Sequence, residues 1–331
     1  MTIAFAVAGT GRMARVRTAA LLATERATLT GVASRTLAHA EAFAAEFGCA
    51  FATADYRKLD AEAILVEVPH RVQSGIVRWA LESNRHVLIG GSFAMSREEG
   101  EWIASAAEAR GLVVEAGYEA RYKPVWEHAR EQILSGSLGK IVAVDAVALW
   151  PGDPASWYYD EAESGGMPLS HLTYTFVNPV RWILGDPVAL SAFANRIRVA
   201  TPSSVREETC TVNFRFPDDV IANMLAGYVR GGDPDAFHVN VYGTDASLRI
   251  DPADTAPGSL TRFDAGGAHV TSFDDAPDAF VLQARAFCDS IEGKPSCRNG
   301  PRTALVDVMI AEAVSRSAGT RAVIPLAPVV A

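Results

Sequence analysis

Long apolar runs, paired cysteines and surplus positive charge are all missing from this chain. No apolar stretch approaches the roughly 18 residues that span a bilayer. The apolar opening IAFAVAG, residues 3–9, runs straight into a glycine turn with no charged segment before it, so it reads as a first strand and not as a signal. Cys49, Cys210, Cys288 and Cys297 show no CxxC spacing and are scattered along the chain. That argues against a disulfide framework or a thiolate metal site, and for reduced thiols in a cytoplasmic protein. No metal cluster is expected. With 30 Lys and Arg against 39 Asp and Glu, the formal net charge is -9. This excludes an extended nucleic-acid or anionic-membrane surface and leaves room only for a local pocket for one phosphate.

What is present is apolar mass in two different rhythms. The 331 residues are 49% hydrophobic, enough for two domains. From Ile3 to about Glu115, the β-rich runs IAFAVAG, ATLTGVAS, AILVEVP, RHVLIG and GLVVEAG alternate with Ala-rich segments of helical period. Leu37, Ala40, Phe43, Ala44 and Phe47 mark one amphipathic helix, and Ile103, Ala106 and Ala107 another. The pattern predicts an α/β half with a doubly wound parallel sheet, over residues 1–122. After a helix near Pro124 to Leu134, longer alternating strands follow: KIVAVDAVALW, VALSAFANRIRVA, TCTVNFRF, VIANMLAGYV, FHVNVYG and ASLRID. Turns such as Pro217-Asp218-Asp219 predict a large, mostly antiparallel open sheet in an α+β second domain, residues 123–331. Two late helices, about Phe280 to Glu292 and Arg302 to Gly319, are expected to pack on that second domain. The stretches Gly231 to Asp235 and Asp251 to Gly258 read as loops.

The run VAGTGRMA places Gly9, Gly11 and Ala14 as G-x-G-x-x-A between a strand and a helix. The first glycine permits the turn, the second lets backbone approach a pyrophosphate, and Ala14 lets helix and strand pack closely. Arg12 and Met13 complete the loop, and Pro69 and His70, after the AILVEVP strand, join the expected cofactor contacts. At the end of the second strand, Ser34, Arg35 and Thr36 stand where NAD-binding chains usually carry an acid. Two hydroxyls and a guanidinium suit a 2′-phosphate, so NADP is expected.

In the order and spacing of its motifs the chain resembles the Gfo/Idh/MocA oxidoreductases over about residues 3–326. GYEARYKPVWEHAREQILSGSLG, residues 117–139, resembles the family's linking helix, and VYGTDASLRID its Gly-Thr-x-Gly/Ala-Ser strand pair. The family's Glu-Lys-Pro, after His-Val-Leu, is replaced here by Gly90, Gly91 and Ser92. In the family that Lys assists proton transfer during hydride transfer, and glycine has no group for it. Aligned on Trp182 to Gly185, the second chemical motif puts His171 where the family has Asp, Thr175 at its His and Asn178 at its last Asp.

The resemblance therefore implies a Rossmann oxidoreductase whose proton-transfer set has been exchanged. His171 is the leading replacement, because an imidazole exchanges protons near neutral pH, unless it is a cleft-facing or packed histidine used only for shape. Tyr174 lies one helical turn away. Lys123 could supply the lost cation or be solvated at a helix start. Glu67, at a strand's carboxyl end, is either a partner for a substrate amine or a structural acid. The cluster Trp157, Tyr158 and Tyr159 is either a lid or packing. Two functions remain open: an NADP(H)-dependent reductase of an imine, activated carbonyl or alkene, or a non-redox protein, whether an eliminating or isomerising enzyme or an inactive scaffold. Reduced-cofactor consumption separates them. Under either, apolar alternation on the sheet's open face predicts a homodimer or homotetramer.

Overall fold

The computed structural model describes residues 2–151, 153, 155–197, 205, 207–229, 236–252 and 257–327. Its first elements follow the alternating rhythm: β1 (Ile3–Ala8), α1 (Arg12–Leu22), β2 (Ala27–Ala33), α2 (Leu37–Glu46), β3 (Ala52–Thr53), β4 (Ala63–Val66), α3 (His70–Glu82), β5 (His86–Ile89), α4 (Arg97–Arg110) and β6 (Val114–Ala116). The six strands form one parallel sheet in the order β3-β2-β1-β4-β5-β6. The direction of winding reverses between β1 and β4, which opens the crevice for a ligand beyond their carboxyl ends. All four residues of β4 are buried, as a strand covered by helices on both faces requires. Ser96 caps α4 by accepting the Glu99 N–H, and Gly111 ends that helix in the left-handed region.

The later elements are α5 (Pro124–Leu134), β7 (Ile141–Trp150), α6 (Glu161–Ser164), a π-helix (Pro168–Val177), α7 (Asn178–Leu184), β8 (Ala189–Asn195), β9 (Thr209–Arg215), β10 (Ile221–Tyr228), β11 (Phe237–Gly243), β12 (Ser247–Asp251), β13 (Ser259–Asp264), β14 (Gly267–Ser272), α8 (Ala279–Ile291), α9 (Pro301–Thr320) and β15 (Ile324–Pro325). Nine strands make the second sheet in the order β14-β13-β12-β11-β7-β10-β9-β8-β15, antiparallel except where β10 runs parallel to β7. The Pro217-Asp218-Asp219 turn joins β9 to β10 as expected, with both aspartates at positive φ. Of the VALSAFANRIRVA run, residues 189–195 are strand; its last three residues and the Gly231 to Asp235 loop lie outside the described residues. The β13–β14 hairpin has no counterpart among the strands read from the sequence.

The chain divides into two compact units, 1–119 with 280–308 and 120–279 with 309–331. The late helices therefore do not both join the second domain. Phe280, Ala284, Phe287 and Cys288 of α8 are buried in the first unit's core with Phe5, Leu29, Phe43 and Leu65. An apolar stripe finds the nearest uncovered apolar face, whatever its distance along the chain. The end of α9 does belong to the second unit, where Ser317 Oγ accepts the Ala192 N–H at 2.9 Å.

Candidate functional site

In the first unit, the carboxyl ends of β1, β2, β4 and β5 converge on the glycine loop. Gly9 has φ +117° and accepts no side chain, because a Cβ there would run into the Glu67 carbonyl. Its N–H donates to Ala33 O at 2.8 Å, tying the loop to the end of β2. Gly11 is the N-cap of α1, makes no side-chain cap bond, and has open space where a Cβ would stand. This is the cradle a pyrophosphate needs at a helix N-terminus. Thr10 Oγ1 lies 3.4 Å from Ser34 Oγ, so the end of β2 adjoins the phosphate loop. Arg35 and Thr36 are exposed there. Arg12 is exposed on the first turn of α1, whereas Met13 packs partly against the core. Pro69 is the N-cap of α3 and His70 its first residue. The glycine loop and the open N-terminus of α1 fit the pyrophosphate of a dinucleotide.

The space beside Gly90 and Gly91, which stand where the resemblance expects Glu and Lys, is filled from elsewhere. A Cβ on Gly90 would fall within 3.0 Å of Glu67's carboxyl carbon and both its oxygens. A Cβ on Gly91, which has φ +64°, would stand 2.7 Å from His70 Nε2. Gly90 and Gly91 thus leave neither an open pocket nor a bare loop; they make room for an acid and an imidazole. His70 is buried, and its Nε2 accepts the Ser92 N–H at 3.1 Å. Nε2 is therefore unprotonated and Nδ1 carries the hydrogen.

Glu67 belongs to a buried polar group inside this unit. Arg17 Nε lies 2.8 Å from Glu67 Oε1, although its N–H misses the oxygen's direction. The same guanidinium donates to Gln283 Oε1 at 2.6 Å, to Gly117 O and to Glu119 Oε2 at 3.3 Å, and lies over the Phe280 ring. Burial pushes the Glu67 carboxyl above the ordinary carboxylate range, Arg17 opposes that, and Glu119 adds to it. Of the two readings of Glu67, the geometry matches the structural acid.

In the second unit, aromatic rings gather around His171. Trp150 and Tyr228 end the parallel strands β7 and β10 as register partners. His171 and Tyr174 come from the π-helix, where, with Thr175, they form its partly exposed face between buried neighbours. Centroid distances from His171 are 4.5 Å to Tyr158, 4.8 Å to Trp150, 5.4 Å to Tyr228 and 5.7 Å to Tyr174. Trp157 stacks on Tyr158 at 3.8 Å. His171 Nδ1 lies 2.8 Å from Tyr228 Oη and 3.2 Å from Ser170 Oγ. Burial pushes the Tyr228 phenol far above its ordinary value, so it keeps its hydrogen at every working pH.

His171 and Tyr174 are thus brought together as the spacing suggested. Lys123 is buried with its ammonium donating to Pro252 O at 3.1 Å, which fixes the entry to α5; it is not a solvated helix-start lysine. Asn178 is fully buried, and its carbonyl receives Arg121 Nε and Nη2 at 3.2 and 2.9 Å. Sequence reading missed Trp150 and Tyr228. The available signal was that two strands of the same sheet, VDAVALW and MLAGY, both close on an aromatic residue.

Among the described residues no group of three or more His, Cys, Asp and Glu side chains could hold a metal ion, and no helix is long and apolar enough to cross a membrane.

Comparison with known proteins agrees with both sheets. Residues 3–118 match the oxidoreductase family with an NAD-binding Rossmann fold, and residues 126–249 match the GFO/IDH/MocA C-terminal domain. The dTDP-3,4-didehydro-2,6-dideoxy-alpha-D-glucose 3-reductase of Streptomyces antibioticus is 28% identical over 76% of each chain. The D-xylose 1-dehydrogenase (NADP(+)) 2 of Haloferax volcanii is 25% identical over 89% of this chain and 91% of its own. The aldose-aldose oxidoreductase of Caulobacter crescentus has the same fold, with a TM-score of 0.88, 20% identity and coverage of 98% of this chain and all of that one.

Proposed function

Because the chain belongs to the Gfo/Idh/MocA oxidoreductases, with both domains of that family matched, we propose that it is an NADP(H)-dependent reductase of an unsaturated small molecule, an imine or an activated carbonyl or alkene. The observation that carries this reading is the pair of exchanges described above. The place of the family's Lys is glycine packed against His70, and the place of its His is Thr175, while an imidazole with a dedicated partner on Nδ1 stands one turn earlier. Oxidising an alcohol needs a base that removes its proton. Reducing an unsaturated bond needs only a group that delivers one, and a single imidazole does that. The relatives named above include a reductase as well as a dehydrogenase, which agrees with either direction on this fold.

In this reading Gly9, Gly11, Arg12 and the first amides of α1 hold the pyrophosphate, and Ser34, Arg35 and Thr36 receive the 2′-phosphate. Pro69 and His70 border the same crevice at the start of α3. When bound, the reduced dinucleotide supplies the hydride. His171 supplies the proton, Tyr174 shares its face, and Trp157 and Tyr158 give the substrate a flat apolar wall. Glu67 and Lys123 shape their own units and touch no reacting atom. A second copy of the chain covers the outer face of the nine-stranded sheet, where Phe193 and Ile221 are 63% and 60% exposed. The test is turnover: cyclic imines and α-keto compounds are offered with NADPH or NADH, and loss of reduced-nicotinamide absorbance is followed. NADPH-dependent reduction that falls 100-fold or more in His171→Ala is expected. NADPH that binds but is never consumed with any unsaturated substrate would overturn the reading in favour of a non-redox reaction.

A further inference from the structure

Glu67 adjoins the one loop of the first unit that is shaped to receive negative charge. Its backbone N–H donates to Ala8 O at 2.8 Å, and its carbonyl fills the space over Gly9, the first glycine of the loop whose second glycine caps α1. Arg17, on the second turn of that helix, is its cationic neighbour. We infer that Glu67 is the proton-linked residue of the dinucleotide site: the anionic pyrophosphate, on seating at the glycine loop, draws a proton from water onto the Glu67 carboxylate. The carboxylate becomes the neutral acid, and no other bond changes. The inference rests on the dinucleotide-binding part of the reading above and asks nothing of the hydride step.

The surroundings of this carboxyl make it the group that yields. Its Oε1 is buried and accepts no hydrogen bond, so the ionised form is poorly held. Arg17 Nε is 2.8 Å away, but the guanidinium's hydrogen bonds go to Gln283 Oε1, Gly117 O and Glu119 Oε2, so one cation is divided between two carboxylates and two neutral acceptors. Other charge nearby is of the wrong sign: Glu119 shares Arg17, and Glu115 of β6 reaches the same cluster through Gln283 Nε2 at 3.3 Å. His70, at the start of α3, stands beside Gly91 with Nε2 already accepting the Ser92 N–H. The carboxyl ends of β1 and β5, Ala8-Gly9 and Ile89-Gly90, bring no ionisable side chain. Burial already holds the carboxyl above the ordinary carboxylate range, against the pull of Arg17 and with help from Glu119. A pyrophosphate at the adjoining loop adds further like charge, which favours the neutral acid. The side chain keeps 10% exposure, through which water delivers the proton.

The experiment is isothermal titration calorimetry of NADPH into the whole protein, in two buffers of different ionisation enthalpy, whose difference gives the protons taken up per nucleotide bound. A rise of about one pKa unit on binding gives an uptake of about 0.5 proton midway between the free and bound values, and an affinity that falls about 10-fold as pH rises through both. The 2′-phosphate titrates too, near about pH 6, but equally in wild type and variant. Glu67→Gln keeps the shape of the neutral acid. It should lose the extra uptake, match wild-type affinity at low pH, and bind NADPH about 10-fold more tightly than wild type at high pH. A role in packing alone would weaken binding at every pH. Should Glu67→Gln not fold, the wild type decides by infrared difference spectroscopy with ADP-ribose, which keeps the pyrophosphate and lacks the nicotinamide carbonyl: a protonated-carboxyl C=O band should appear on binding. Equal uptake in wild type and Glu67→Gln, or binding of ADP-ribose with no such band, would overturn the inference and leave dinucleotide binding standing. A protein that binds neither NADPH nor ADP-ribose would overturn the dinucleotide reading first, and the inference with it.

Discussion

Gly90→Ala should be far more damaging than one added methyl suggests, and a second substitution should repair it. Gly90 has an ordinary backbone conformation, so no penalty arises from φ, and the whole effect comes from the collision with Glu67. A free glutamate would swing aside at little cost. This one cannot, because its side chain is 10% exposed and its carboxyl sits 2.8 Å from Arg17 Nε, itself 4% exposed. Moving it separates a buried pair, which costs about 3 kcal/mol when a partner is lost, and overpacking adds about 1 kcal/mol. Glu67→Ala alone should cost about 2 to 3 kcal/mol, at the lower end because Arg17 keeps Gly117 O, Glu119 and Gln283. In the double variant the methyl of residue 90 enters space the carboxyl has left. The two losses, about 6 kcal/mol if additive, should then shrink to about 3 to 4 kcal/mol. The assay is a four-corner cycle of urea unfolding followed by far-ultraviolet circular dichroism. Additivity within about 0.5 kcal/mol would refute the claim that the glycine exists to admit the acid.

Three further outcomes follow from the same geometry. Burial raises the folded-state value of Glu67 above that of the unfolded chain, so its contribution to stability is complete below about pH 4.3 and is lost as pH rises through the raised value. Glu67→Gln should flatten that part of a stability-against-pH curve, and an unchanged slope would show that Glu67 is ionised throughout. Arg35→Ala should weaken NADPH binding about 10-fold, as expected for one charge-assisted contact to a phosphate, and leave NADH binding unchanged in a fluorescence titration; equal loss for both would remove Arg35 from the 2′-phosphate site. Ile221→Lys, on the outer face of β10, should convert a dimer or tetramer to monomer by light scattering, whereas a wild-type chain that is already monomeric would remove the sheet from any assembly.

Most of the first sheet was legible because each strand is an uninterrupted apolar run and each helix a periodic one. The strands β1, β2, β4, β5 and β6 all fall inside the runs read from the sequence. The β13–β14 hairpin escaped because every residue of β14 is exposed. An edge strand with water on both sides carries no alternation to detect. The helix holding His171 was legible as a helix, but its wider π turn was not, since no residue type marks that geometry in advance. Glu67 and Gly90 could each be noticed singly, one as an odd acid and the other as an odd glycine. Their relation appears only when β4 and β5 lie side by side with Val66 O receiving Gly90 N at 2.8 Å. Tyr228 was hidden for a similar reason: its meaning depends on a strand pairing with Trp150 that local sequence does not state.

The return of α8 to the first unit also sets the order in which the protein can be completed during synthesis. When residue 119 has been made, the six strands of the first sheet exist, but Phe43, Leu29 and Leu65 still lack the cover of Phe280, Ala284 and Phe287. At about 5 to 20 residues per second, the ribosome needs on the order of 10 to 30 seconds to reach that helix. Throughout that interval the emerging half-domain shows an apolar face to whatever binds nascent chains, and the second unit, whose residues 309–331 follow that helix, is completed only after the first.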